Sequence, residues 1–158
     1  MFMYGGTVNM KAGVNLIQGY SFSNEESLHR DFALFQQHGI DLIYVNPKWT
    51  SIEPSQGNYN TSYLDRIKRV CQIAEEYGIE VCIAFMTNTR STGATIPSWV
   101  SPKRYDTVIK NSNVADAWID MLRYVASYLS DCINIQAYLP LDEPYFGSWA
   151  MRLSCIHH

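Results

Sequence analysis

No two cysteines in this chain are spaced for zinc or for dithiol chemistry. Cys71, Cys82, Cys132 and Cys155 lie far apart and form no CxxC, which removes ribbon-type metal sites and thioredoxin-like motifs. Cys71 falls on a helical apolar face and Cys82 inside an apolar strand run, so both are expected as core thiols. No glycine fingerprint follows the first strand pattern, which ends Gly19-Tyr20-Ser21-Phe22, and no P-loop occurs. Dinucleotide and nucleoside triphosphate cradles are thereby excluded, and no metal or organic cofactor is expected. An excess of positive charge is also missing. Twelve Lys and Arg stand against 15 Asp and Glu, for a net charge of -3, so neither nucleic acid nor an anionic membrane is the expected partner. No apolar run approaches membrane-spanning length. Met1 to Met10 shows no basic segment followed by an apolar run, so no signal peptide is visible and the cytoplasm is the default location.

What is present suits one domain over residues 1–158, apparently cut after a fourth strand. Hydrophobic residues make up 47% of the 158, enough for a core, and aromatics 13%, including 11 Tyr and 4 Trp. Strands are expected over Gly13–Tyr20, Asp41–Asn46, Ile79–Phe85 and Ile133–Leu139, each a near-continuous apolar run. Helices alternate with them. The first starts at Ser23 with Glu26 in capping-box spacing and carries Leu28, Phe32 and Phe35 on one face. The second starts near Ser62 and buries Leu64, Ile67, Val70, Cys71 and Ala74. The third starts at Asn113 with the stripe Ala115, Trp118, Leu122, Val125 and Leu129. A fourth would begin in Ser148–Ile156. Gly39 and Gly78 end helices in tight turns. Lys48–Asn60 and Thr87–Ser112 are long polar loops, the second long enough to be functional or to hold short local structure. Alternation of this kind implies a parallel sheet with right-handed crossovers. Long loops after strands and tight turns after helices are the asymmetry of a (β/α) barrel with function on one face.

The chemistry-bearing stretch is Leu139-Pro-Leu-Asp-Glu-Pro-Tyr-Phe-Gly147. Asp142 and Glu143 stand just past the fourth strand, hemmed by Pro140, Pro144, Tyr145 and Phe146. Carboxyl ends of parallel strands are where ligands bind. A stiffly held, partly dried carboxylic acid has a raised pKa, which suits a general acid near neutral pH. The plainer alternative is an acidic turn capping the next helix. Trp49 and Trp99 lie in loops at the same face, where each is either an open ring surface for a ligand or a plug at the top of the barrel. Asn15, Asn46 and Asn88, at strand ends, are suited to hydroxyl binding or to loop stabilisation. Trp118 belongs to the core.

Three segments together resemble clan A glycoside hydrolases, the superfamily of cellulases, xylanases and β-galactosidases. They are Lys48-Trp49…Glu53-Pro54…Gly57-Asn-Tyr59 followed by Leu64-Asp65, then Ile96-Pro97-Ser98-Trp99-Val100, then Leu141-Asp142-Glu143-Pro144. The resemblance runs from Gly13 to about Trp149. It implies the first half of a (β/α)8 TIM barrel, and hydrolysis of β-linked oligo- or polysaccharide with retention. Glu143 would be the acid/base, and Asp142, Trp49, Lys48, Trp99, Asn46 and Tyr145 would hold sugar. Three features depart from the superfamily pattern. Asp142 replaces the usual Asn, no Arg stands in Tyr44-Val45-Asn46, and Met86-Thr87-Asn88 lacks the usual His.

The nucleophile of these enzymes comes from a seventh strand, and only four strands are expected here. Glu53 has a plainer role open to it, tying its loop to a backbone amide. The alternative readings are a non-catalytic carbohydrate-binding half-barrel and a split chain. In the latter case the open sheet edges would be covered by a complementing half-barrel or by a second copy in a homodimer.

Overall fold

The computed structural model describes residues 11–16, 24–85, 95–103 and 105–141, with the backbone alone for 105, 106 and 109. The expectations for residues 17–20, Ser23, Asn88, Asp142, Glu143, Tyr145, Trp149 and the helix over Ser148–Ile156 lie outside the described residues.

Four strands, β1 (Ala12–Leu16), β2 (Ile40–Val45), β3 (Glu80–Ala84) and β4 (Ile135–Leu139), form one sheet in the order β1-β2-β3-β4. Every pairing is parallel. Between them run α1 (Glu25–Gln37), α2 (Trp49–Ile52), α3 (Thr61–Glu76), α4 (Tyr105–Lys110) and α5 (Ser112–Tyr128). The sequential strand order and the alternating helices are those of a partial (β/α) barrel.

The sheet's two faces are chemically different. Ile43 and Val45 of β2 pair with Val81 and Ile83 of β3, and all four are fully buried. They pack with Leu28 and Phe32 of α1 and Leu64, Ile67, Val70 and Ala74 of α3 in one core. The opposite face carries the row Asn15, Tyr44, Cys82 and Ala137, one residue from each strand in register. Asn15 and Ala137 are exposed there and Tyr44 is half-buried. A Cβ added to Gly13 would lie 3.5 Å from Leu42 Cδ2 and 3.6 Å from Tyr44 Cε2, ordinary contact.

Helix boundaries follow asparagine caps. The Asn24, Asn60 and Asn111 side chains accept from Ser27 N, Tyr63 N, and Asn113 and Val114 N. Each satisfies N–H groups that a helix start leaves orphaned. This moves the starts expected at Ser23, Ser62 and Asn113 by one or two residues. Gly39 and Gly78 have φ of 70° and 68°, the left-handed closing turn that L side chains resist.

Three expectations need correction. Lys48–Asn60 is not all loop, because α2 occupies Trp49–Ile52. The buried face of α5 is Val114, Trp118, Met121 and Val125, with Leu122 only partly buried. The fourth strand begins at Ile135, and Ile133 sits in a turn with 77% of its surface exposed.

Asn134 explains that turn. Its buried amide donates to Cys71 O at 2.9 Å and Ile79 O at 3.0 Å, so it ties the end of α3 and the approach to β3 to the start of β4. Asn134→Ala leaves two buried carbonyls without that donor and is expected to cost about 1–3 kcal/mol. Urea unfolding checks it, with a midpoint shift and an unchanged slope as the expected signature.

Candidate active site

Because the sheet is parallel, the carboxyl ends of β2, β3 and β4 lie along one edge. Past β2 come Asn46, Pro47, Lys48 and α2. Past β3 comes the segment 95–103. β4 stops at Leu139, and Pro140 and Leu141 lead toward Asp142 and Glu143. The topology thus delivers the first two sequence motifs to the same edge, where β4 also ends.

The centre of the described part is Glu53, only 1% exposed. One carboxylate oxygen accepts from Trp49 Nε1 at 2.6 Å, and the other accepts from Gly57 N at 2.6 Å. Its backbone carbonyl accepts from Trp99 Nε1 at 3.1 Å. The bond to Gly57 is the loop-tying role expected from the sequence, and Gly57 adopts φ of 74° in that turn. The α2 turn makes the Trp49 bond possible by placing residue 49 four positions before 53, on one side of a helical turn.

The loops after β2 and β3 are joined at one further point, where Thr50 N donates to Thr95 O at 3.0 Å; within the loop after β2, Asn60 N donates to Ile52 O at 2.7 Å. Trp49 meets Trp99 edge-on at 5.3 Å and 86°, and meets Trp118 of α5 at 4.8 Å and 66°. Such edge-to-face pairs place a ring's positive rim against its neighbour's negative face. Tyr63 Oη accepts from Lys48 N at 3.2 Å. Burial pushes the Tyr63 hydroxyl above the ordinary tyrosine range, so it stays neutral. Tyr59 is also pushed up, by burial first and then by the negative charge of Glu53.

The structure separates the expected site residues. Trp49 is 1% exposed, so neither ring face is open to a sugar; of the two roles read from the sequence, it fills the plug. Trp99 is half-buried, with its N–H turned inward to Glu53. Lys48 is half-buried at the same edge. Asn46 is 4% exposed and spends an amide hydrogen on Ala84 O at 3.3 Å, tying the ends of β2 and β3 together. Trp118 is core, and Cys71 and Cys82 are buried as expected. Sequence reasoning missed the second oxygen of Glu53 and its link to both tryptophans. The Trp-x-x-x-Glu spacing was the available signal, but it needs a helical turn inside a segment rich in Pro, Ser and Gly.

The chain is similar in fold to several solved structures. A GH5_18 variant from Bifidobacterium longum subsp. longum ATCC 55813, in complex with Manβ1-4GlcNAc, matches with TM-score 0.72 and 18% identity over 84% of this chain and 33% of its own. The exo-beta-1,4-mannosidase Op5Man5 from Opitutaceae bacterium strain TAV5 matches with TM-score 0.71 and 17% identity, over 81% and 24%. Endo-glycoceramidase II from Rhodococcus sp., holding a cellobiose-like imidazole, matches with TM-score 0.65 and 21% identity, over 77% and 36%. The chain therefore spans about a quarter to a third of the structures it resembles. A comparison with curated proteins found no match.

Fold and motifs together define a clan A glycoside hydrolase-like domain on a partial TIM barrel. The family model for the beta-galactosidases of glycoside hydrolase family 42 matches residues 20–132. The chain belongs to that family.

Proposed function

We propose that the chain is the acid-bearing, sugar-binding half of a barrel that acts on β-linked oligo- or polysaccharide with retention. Glu143 protonates the leaving oxygen and then activates water. Asp142, Lys48, Trp99 and Tyr145 hold the sugar, with Asn46 tying the ends of β2 and β3 and Trp49 standing behind Trp99 as its support. The observation that carries this reading is the shared edge. Parallel strands bring the Trp49–Gly57 loop, the Trp99 segment and the end of β4 to one side, in a chain of this family.

Sugar-ring stacking on a half-open indole suits the substrate class, and Manβ1-4GlcNAc bound to a structure of the same fold is in keeping with it. The exposed inner row, Asn15 and Ala137, and the outer strands β1 and β4 favour a partner that completes the barrel. A complementary half-barrel does this. So does a second copy related by a two-fold axis along the barrel. Light scattering distinguishes these from a stable monomer.

The non-catalytic alternative has one observation in its favour: the Glu53 carboxylate is committed to Trp49 and Gly57. Both readings require sugar binding. Titration calorimetry with cellotetraose and with mannotetraose is expected to give saturable binding to one of them, weakened at least tenfold by Trp99→Ala. Loss of a stacked ring is worth about 1.4 kcal/mol or more on that scale. Unchanged affinity in Trp99→Ala would remove Trp99 from the site.

A further inference from the structure

We infer that Glu53 is the positioning residue of the sugar-stacking surface, acting through Trp99 on the pyranose ring of a β-linked oligosaccharide. The inference rests on the sugar-binding reading above and adds to it a residue that touches no sugar.

Tying a loop to itself needs one acceptor. Glu53 provides three, and two of them hold indole N–H groups, one of these in the loop after β3. The second carboxylate oxygen takes the Trp49 N–H and the main-chain carbonyl takes the Trp99 N–H. A single residue thus terminates both indole donors. With its N–H held, the Trp99 ring cannot turn about its side-chain torsions without breaking that bond. With its own N–H held, Trp49 presents a fixed surface at 5.3 Å for the Trp99 ring to lean on. The Thr50–Thr95 backbone bond fixes the distance between the two loops. Stacking requires the ring plane to be set before the sugar arrives, since ordering it on binding would be subtracted from affinity. Burial at 1% keeps water from competing for the carboxylate.

Glutamine has nearly the same shape but only one oxygen. Whichever way its amide points, an NH₂ group meets either the Trp49 N–H or the Gly57 N–H, donor against donor. Glu53→Gln is therefore expected to loosen the tryptophan pair while leaving the fold.

The test is a double-mutant cycle on the full chain with Glu53→Gln, Trp99→Phe and their combination. Cellotetraose and mannotetraose are the probes, with urea unfolding and near-ultraviolet circular dichroism recorded in parallel. Glu53→Gln alone is expected to weaken binding at least tenfold and to change the tryptophan dichroism. In the Trp99→Phe background it should change affinity less than twofold, because the indole whose seating against Trp49 the Glu53 carboxylate supports is gone. An equal loss in both backgrounds would overturn the inference, leaving Glu53 a general stabiliser. Should neither saccharide bind the unmutated chain, the sugar-binding reading falls by itself. The dichroism then still decides the positioning claim, and an unchanged tryptophan signal in Glu53→Gln overturns it. Should Glu53→Gln fail to unfold cooperatively, Trp49→Phe removes the same bond from the other side. It is expected to reproduce the dichroism change and the affinity loss, and wild-type values for both would count against the inference.

Discussion

The 158-residue chain alone is expected to hydrolyse an aryl β-glycoside at no measurable rate. A retaining mechanism needs two carboxyl groups about 5–5.5 Å apart, one as acid and one as nucleophile. In the function proposed above, Glu143 supplies the first. Among the described residues no carboxylate is placed to supply the second. Glu53 is at the right edge, but both of its oxygens are engaged and it is buried. Asp41 and Glu80 stand at the opposite ends of their strands, and Glu80 is paired with Lys11. Asp65 accepts from Tyr128 Oη at 2.5 Å, on the helical layer. Asp142 neighbours Glu143 in sequence, and adjacent side chains on extended backbone point apart. Closing the barrel with a second copy does not repair this. A two-fold axis along the barrel would put the two β4 ends on opposite sides of the mouth, so two copies of one acid would not serve one anomeric carbon. Removing a nucleophile from a residue set that acts as a unit costs on the order of 10⁴-fold or more. Release of nitrophenol from aryl β-galactoside and β-glucoside, followed over hours, is the measurement. A robust rate abolished by Glu143→Gln would mean that a second carboxyl group reaches Glu143 after all.

Much of the fold was legible because the signals were long and redundant. β2 and β3 each buried residues on the helix side at alternate positions, and α3 buried every residue of its stripe. The misses share a physical cause, which is that short or wide patterns underdetermine geometry. α5 is apolar over a broad arc, so a stripe through Ala115 and Leu122 and one through Val114 and Met121 share Trp118 and Val125, and only packing chooses between them. Ile133 looked like the first residue of a buried strand. The demand of two carbonyls for the Asn134 amide turned the chain there and left Ile133 outside. Asparagines cap all three long helices, one or two residues before or after the Ser23, Ser62 and Asn113 expected from the sequence, a choice among neighbouring polar residues that local composition does not resolve. At the site, the loop-tying role of Glu53 was readable from its glycine-bearing turn. That Trp49 is buried was not readable, because its burial depends on Trp99 and Trp118, far away in sequence.

Trp49→Ala is expected to produce the largest loss of stability of any single change at the site edge. Trp49 is among the largest fully buried side chains, wedged between Trp99 and Trp118, and Trp118 in turn meets Phe85 at 6.0 Å. Truncating a buried Trp to Ala costs about 3–5 kcal/mol through lost transfer energy and the cavity left behind. A second cost is added here. The Glu53 oxygen that accepts the Trp49 N–H at 2.6 Å would be left buried without that donor, which costs about 1–3 kcal/mol, or more for a charged group. The sum is comparable to the whole stability of a domain of this size, about 5–15 kcal/mol. Trp49→Ala should therefore show a non-cooperative or strongly shifted urea transition and a flattened near-ultraviolet dichroism. Trp99→Ala, which removes a half-buried ring and leaves the Trp49–Glu53 bond in place, should cost clearly less. Trp49→Phe should fall between them, keeping most of the ring volume while forfeiting the N–H. A Trp49→Ala protein that unfolds within about 1 kcal/mol of the parent would show that Trp49 is not the plug of this edge, and would reopen its face to the sugar.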